Sequence, residues 1–366
     1  MSLSAGIIGL PNVGKSTLFN ALCSGNAAME NYPFCTIDPN HGMAAVPDDR
    51  LKRIAGHITT ARIVPAFLEL IDIAGLVKGA SQGAGLGNQF LGHIKDVDAV
   101  VHVVRCFEDG DVVHVDGSVD PLRDAGTIEI ELLLKDLDTA TSGVERIAKA
   151  AKSGEKELKA RLEIYELVRD GLAKGTPVRK MAIDEDALAA IAGMHLITAK
   201  PMLYVGNVSE TDLSPEAKLP HVKSLRKFTA DRGIPFVPIC ARIEAELGEL
   251  AEDERGEFLA SLGLAESGLA RLAREIYALL GLQSFFTWNE KELHAWTLTK
   301  GSTAPQAAGA IHSDFEKGFV RADVYSVEEL ETFHTEPALR AAGKIRSEGR
   351  DYVVKDGEIL FFKFTP

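Results

Sequence analysis

Cysteine is scarce and scattered in this chain: four residues in 366, at positions 23, 35, 106 and 240, with no C-x-x-C pair. That spacing offers neither a zinc site nor a disulfide framework, and a reducing compartment is the simple expectation. Long apolar runs are missing as well. None approaches the ~20 residues that cross a bilayer, so no membrane contact is expected. The first apolar run follows the N-terminus at once, leaving no room for the basic and apolar regions of a secretory signal, and a cytoplasmic protein is expected. Basic charge is the third deficit: 40 Lys and Arg against 53 Asp and Glu give a formal net charge of −13. A field of that sign repels polyanions, which excludes indiscriminate coating of nucleic acid and confines any RNA contact to a local basic surface. The rest is ordinary for a globular protein, with 46% apolar and 25% charged residues. The length exceeds one ordinary core, so two or three domains are expected.

Against that background one stretch stands out, Gly9-Leu-Pro-Asn-Val-Gly14-Lys15-Ser16-Thr17. The apolar run Ala5 to Ile8 precedes it, and Leu18, Phe19 and Leu22 follow at helical spacing. Strand, glycine loop, helix is the context in which a G-x-x-x-x-G-K-S/T match has a mechanism. Gly9 and Gly14 let the backbone curl so that the N–H groups of Asn12, Val13, Gly14, Lys15, Ser16 and Thr17 point at a polyphosphate. Lys15 would reach the β- and γ-phosphates, and the Ser16 hydroxyl would coordinate Mg²⁺. A nucleoside triphosphate is the expected ligand.

Downstream, Pro65 to Ile71 reads as a buried strand that delivers Asp72-Ile-Ala-Gly75. An acidic residue at the carboxyl end of a core strand, facing a phosphate loop, is where a Mg²⁺-organising carboxylate sits. Gly75 would offer its N–H to the γ-phosphate, and the glycine-dense stretch 79–87 after it has the composition of a switch. Ala99 to Val104 reads as the next buried strand, followed by an acidic loop that carries His114. From about Thr127 apolar residues recur at three- and four-residue steps, break at 152–154, and resume from Leu158 to Leu172. This predicts a helical hairpin with a narrow apolar stripe, inserted over 127–197 into an α/β domain spanning 1–282. Lys200 to Gly206 and Ile234 to Cys240 read as further core strands, the first running into Asn207-Val208-Ser209-Glu210. Residues 267–280 predict a closing helix. From 283 to 366 short strands and clustered aromatics predict a small α+β domain, whose Lys300, His312, Lys317 and Arg321 lie among them. An aromatic stripe of that kind serves either as core or as a base-stacking surface, with core the commoner use.

With these motifs in this order the chain resembles the OBG-type P-loop GTPases of the translation-factor class, and within them the YchF/Obg-like ATPase family. The resemblance covers nearly the whole chain and rests on long segments: 31–39, 72–80, 85–88, 200–204 and 308–319. It implies a G domain with a coiled-coil insertion and a C-terminal ubiquitin-like TGS domain of β-grasp type. It implies a slow ATPase that associates with the ribosome according to its nucleotide state, in the cytoplasm and as a monomer. Guanine-reading relatives use Asn-Lys-x-Asp where this chain has Asn207, Val208, Ser209 and Glu210. Without that Asp the reason to demand guanine weakens; Asn207 can pair with the base edge, and ATP is expected over GTP, although Glu210 could in principle still reach a guanine. By analogy Thr36 completes Mg²⁺ coordination together with Ser16 and Asp72, and Asn12 occupies a position where the wider class can hold K⁺. The water-positioning Gln of Ras-like enzymes is replaced by Leu76. The resemblance suggests His114 as the group that orients or deprotonates the water. A conventional translational GTPase, and a nucleotide-gated binding protein with incidental turnover, remain as alternatives.

Overall fold

A computed structural model describes residues 3–24, 40–73, 92–109, 112, 114–153, 155–213 and 220–365. Thr36, Gly75, Leu76, Cys35 and the glycine-dense stretch 79–87 lie outside the described residues.

The strands β1 (Ser4–Ile8), β2 (His41–Val46), β4 (Ala66–Asp72), β5 (Ala99–Arg105), β6 (Met202–Asn207) and β7 (Phe236–Ile239) form one sheet in the order β2-β4-β1-β5-β6-β7. All its pairings are parallel except β2 with β4. Every residue of β1, β5 and β6 is buried, which is why these strands read as unbroken apolar runs rather than alternating ones. Helices α1 (Lys15–Ser24), α2 (Asp49–Ala55), α5 (Ala241–Glu249) and α6 (Gly268–Leu279) belong to this α/β unit. Ser267 caps α6, accepting from the Ala270 N–H at 3.0 Å.

The hairpin is built from α3 (Pro121–Ala150) and α4 (Lys156–Ala173). Val144, Ile147, Tyr165, Val168 and Leu172 bury their side chains between them. The first helix starts six residues earlier than the apolar periodicity predicts, at Pro121 rather than Thr127. Asp120 accepts from the Leu122 and Arg123 N–H groups, and Pro121 is preorganised at the first helical position. Buried Asp136 then fastens the arm to its root, accepting from the main-chain N–H of Ile197 at 2.9 Å and of Thr198 at 2.6 Å.

A second sheet has the order β11-β10-β12-β8-β9-β3, with β8 (Leu282–Trp288), β9 (Glu292–Thr299), β10 (Phe319–Ser326), β11 (Arg346–Glu348) and β12 (Glu358–Phe364). Its edge strand β3 (Arg62–Val64) comes from the N-terminal half and pairs in parallel with β9, Ile63 opposite Leu293. The C-terminal unit is thus joined to the first by main-chain hydrogen bonding. Phe285 and Phe319 are buried in its core, as most aromatic stripes of small domains are, while Phe286 packs into the larger cluster around the first sheet. Lys317 and His312 are exposed beside Asp314.

Candidate functional site

The carboxyl ends of β1, β5, β6 and β7 open onto one edge of the first sheet, where the segments after them meet. In an open parallel sheet this edge is where ligands bind. A cavity of about 660 Å³ lies there, lined among others by Asn12, Gly14, Thr17, Phe107, Val208 and Ala241.

The phosphate end follows from backbone constraint. Gly9 (φ 156°), Asn12 (φ 60°) and Gly14 (φ 94°) occupy positive φ, so the loop curls between β1 and α1. A Cβ at Gly9 would stand 2.4 Å from the Val103 carbonyl oxygen, and one at Gly14 would stand 2.3 Å from Asn207 Nδ2. Both positions therefore exclude a side chain by contact as well as by conformation. The first turn of α1 contains no acidic residue, leaving the positive end of its dipole open to an anion. Lys15 is buried and donates from Nζ to the Leu10 carbonyl at 2.9 Å. Burial pushes its pKa below the ordinary lysine value, while the charge of Asp72 pulls the other way.

Ser16 Oγ donates to Asp72 Oδ2 at 2.8 Å across 56 residues of sequence. Asp72 Oδ1 is buried with no hydrogen-bond partner among the described residues. A hydroxyl and a carboxylate with one oxygen unspent, beside a phosphate loop, fit the hard oxygen-ligand preference of Mg²⁺. Of the predicted set, Ser16 and Asp72 lie within hydrogen-bond distance of each other, and Thr36 lies outside the described residues.

At the base end Asn207 joins two segments of the main chain. Its carboxamide is buried and engaged on both sides: Nδ2 donates to the Val13 carbonyl at 2.9 Å, and Oδ1 accepts from the Ala241 N–H at 3.1 Å. It clamps the phosphate loop to the start of α5, and each carboxamide atom keeps capacity for one further hydrogen bond. Val208 is buried and its N–H donates to the Ile239 carbonyl at 2.9 Å, while Glu210 is exposed at the cavity margin.

His114 has a partner on each ring nitrogen. Its Nδ1 accepts from the Asp116 N–H at 3.1 Å, and Nε2 lies 2.9 Å from Asp124 Oδ2. A ring whose Nδ1 accepts carries its proton on Nε2 and donates to the carboxylate, so neither nitrogen is free to take a proton from water. The other Asp124 oxygen is held by Arg123 Nη2 at 2.9 Å. In this conformation His114 is part of a hydrogen-bonded triad with Asp116 and Asp124.

Sequence reasoning missed Phe107 and Arg105. Read as part of an acidic loop, the segment after β5 hides an aromatic ring that lines the cavity and a buried arginine behind it. The signal was positional. A residue just past the carboxyl end of a core strand lands at the ligand edge whatever the charge of its neighbours.

Comparison with known proteins agrees with the fold. Residues 4–136 match the family model described as 50S ribosome-binding GTPase, and 282–365 match the C-terminal model of YchF GTPases, described as a protein of unknown function (DUF933). The chain is 47% identical over 365 residues to the Ribosome-binding ATPase YchF of Haemophilus influenzae, covering 100% of both chains. Its identity to the Bacillus subtilis protein of the same name is 45%, again over 100% of both. Obg-like ATPase 1 of Pongo abelii is 43% identical, with 100% of this chain and 93% of that one aligned. Among solved structures, the YchF GTPase of Schizosaccharomyces pombe superposes with a TM-score of 0.89 at 40% identity, covering 99% of this chain and 98% of the other.

Proposed function

The chain belongs to the YchF family of Obg-like ATPases, and on that premise we propose that it is a ribosome-binding ATPase that uses its nucleotide state as a switch. The observation that carries this reading is a phosphate loop with its Ser16–Asp72 pair, beside a cavity lined by Asn12, Gly14 and Thr17 of that loop and, among others, by Phe107, Val208 and Ala241. Apolar flanks suit a purine face, and the missing Asp of Asn-Lys-x-Asp removes the acceptor that guanine's N1–H and 2-amino group need. ATP is therefore the ligand of choice. The N–H groups of Asn12 to Thr17 would cradle its phosphates, Lys15 would neutralise the β- and γ-phosphates, and Ser16, Asp72 and Thr36 would hold Mg²⁺. When bound, the metal supplies charge neutralisation on those phosphates. Gly75 would meet the γ-phosphate, and Asn12 is the residue to test for K⁺.

Turnover is slow on this reading, because Leu76 cannot orient water and His114 is held by Asp116 and Asp124. Any catalytic part for His114 requires that the ring leave that triad. We read residues 1–282 as the G domain with the helical insertion, and 283–366 as the TGS domain. The ribosome is the partner, with its RNA met through local basic surface, and the chain acts as a monomer in the cytoplasm. No helix among the described residues is long and apolar enough to cross a membrane.

Competition between ATP and GTP for the purified protein, with Mg²⁺ and with K⁺ or Na⁺, tests the nucleotide assignment. An ATP preference is expected. GTP binding at least about tenfold tighter, a gap of about 1.4 kcal/mol, would mean that Glu210 replaces the missing Asp and that the protein is a conventional GTPase. Ribosome pelleting in ATP against ADP then tests the switch.

A further inference from the structure

A second cavity, of about 540 Å³, opens where the segment after α2 meets the turn between β8 and β9 and the short helix Glu336–Ala341. Its walls come from both halves of the chain and are tied together. The Ala61 N–H donates to the Glu290 carbonyl at 3.0 Å, just before β3 joins β9. Trp288 lines the cavity from the end of β8 and is half-buried. The one polar atom of its side chain is already engaged, since Nε1 donates to Tyr325 Oη at 2.8 Å. What the indole offers an occupant is therefore π surface. His57 lines the cavity as well, its ring stacked on that of His334 with centroids 5.3 Å apart. Three charged side chains complete the lining. Glu336 and Arg340 answer each other across one helical turn at 3.0 Å, while Glu290 is exposed and forms no ion pair among the described residues. Aromatic surface and one uncompensated carboxylate are what the cavity presents.

From these residues we propose that the cavity is a docking site for an arginine side chain of a basic partner polypeptide, its guanidinium packed on Trp288 and paired with Glu290. The quadrupole of an aromatic face attracts a cation, most strongly for an indole. A guanidinium can lie flat on the ring while its N–H groups reach a carboxylate, whereas an ammonium is compact and more strongly hydrated. The uncompensated charge here is negative, as is the net −13 of the chain, so a phosphate backbone is repelled and a basic segment attracted. An occupant contacts both halves of the chain at once, which makes the joint at β3 and β9 part of the interface. The inference goes beyond the ribosome reading above and does not depend on the nucleotide.

The test titrates the full chain with a capped pentapeptide of four glycines around one arginine. The control is the same peptide carrying citrulline, which keeps the shape and loses the charge. Binding is read on the indole N–H signals by NMR; the chain has two tryptophans, and Trp288→Phe identifies the one in the cavity. The arginine peptide should shift the Trp288 signal saturably. Citrulline, or Glu290→Gln, should weaken binding by about fivefold, about 1 kcal/mol. Glu290 is exposed, so its replacement leaves the fold intact. Equal binding of the two peptides would overturn the proposal, because the cavity would then read shape rather than charge. Unchanged affinity in Glu290→Gln would overturn it too, as would a Trp288 signal that stays still at millimolar peptide. A signal that moves instead with a single-stranded oligouridylate would assign the cavity to nucleic acid and sink the idea.

Discussion

At the scale of single residues, the clamp at Asn207 and the buried histidine beneath the loop carry the sharpest expectations. Asn207 satisfies two buried main-chain groups 34 and 194 residues away. Asn207→Ala leaves the Val13 carbonyl and the Ala241 N–H without their partner, each costing about 1–3 kcal/mol. Unfolding in urea should show a loss of about 2–4 kcal/mol, and ATP affinity should fall because the phosphate loop loses its anchor. His102 is 1% exposed within β5, packs its ring 4.8 Å from that of Tyr204, and leaves Nδ1 without a partner among the described residues. Burial, helped by the charge of Lys15, pushes its pKa down to about 3. The unfolded chain takes up a proton near the ordinary histidine value of about 6.5 while the folded one does not, so stability falls as pH falls through that window. Between about pH 7 and about pH 5 the wild type should lose about 2 kcal/mol more than His102→Leu, measured by denaturant titration at each pH.

Among the elements, the helical arm shows what periodicity reveals and what it hides. Three- and four-residue apolar steps identify both helices and the break between them. They place the start of the first at Thr127 because the turn before it carries less apolar stripe. The stronger signal was Asp120-Pro121, an N-cap followed by a proline at the first helical position. Nothing in periodicity reveals that Asp136, midway along the apolar helix, is wholly buried. It reads as one more solvated charge, whereas it holds two N–H groups at the arm's root. Asp136→Ala should cost about 2–4 kcal/mol in thermal or chemical unfolding. ATP affinity should hardly change, since the residue lies outside the nucleotide cavity.

For the whole molecule the issue is how the C-terminal unit is attached. Composition marks a new unit from residue 283, and the second sheet does run through β8 to β12. Its last strand, however, is β3, three residues from the N-terminal half. Arg50 reinforces the joint, reaching Asp48 from Nη2 at 2.7 Å and Asp356 from Nη1 at 2.9 Å. Arg62 pairs with Glu292 at 2.6 Å beside the β3–β9 ladder. The same chain that forms β3 continues into β4, which ends at Asp72, so the carboxylate that meets Ser16 and the C-terminal sheet sit on consecutive strands. Asp356 is half-exposed, so Arg50→Ala should lower stability by only about 1–2 kcal/mol. Limited proteolysis should show faster cleavage between the two sheets.

What the sequence determined by itself is whatever local conformation dictates. The phosphate loop follows from two glycines between an apolar strand and a helix, the hairpin from side-chain periodicity, and the α/β class from the order of these pieces. Each depends on φ/ψ preference and on which face of a short segment is apolar, and both are properties of neighbours in the chain. The tertiary structure alone decided the partners. Asn207 bridges the phosphate loop and the start of α5, His114 meets Asp124, and Arg105 lies buried behind the ring of Phe107. A hydrogen bond acts over about 3 Å, whereas the residues it joins here are up to 194 positions apart. Which donor meets which acceptor is therefore fixed only when strands order themselves in a sheet and bring their carboxyl ends to one edge.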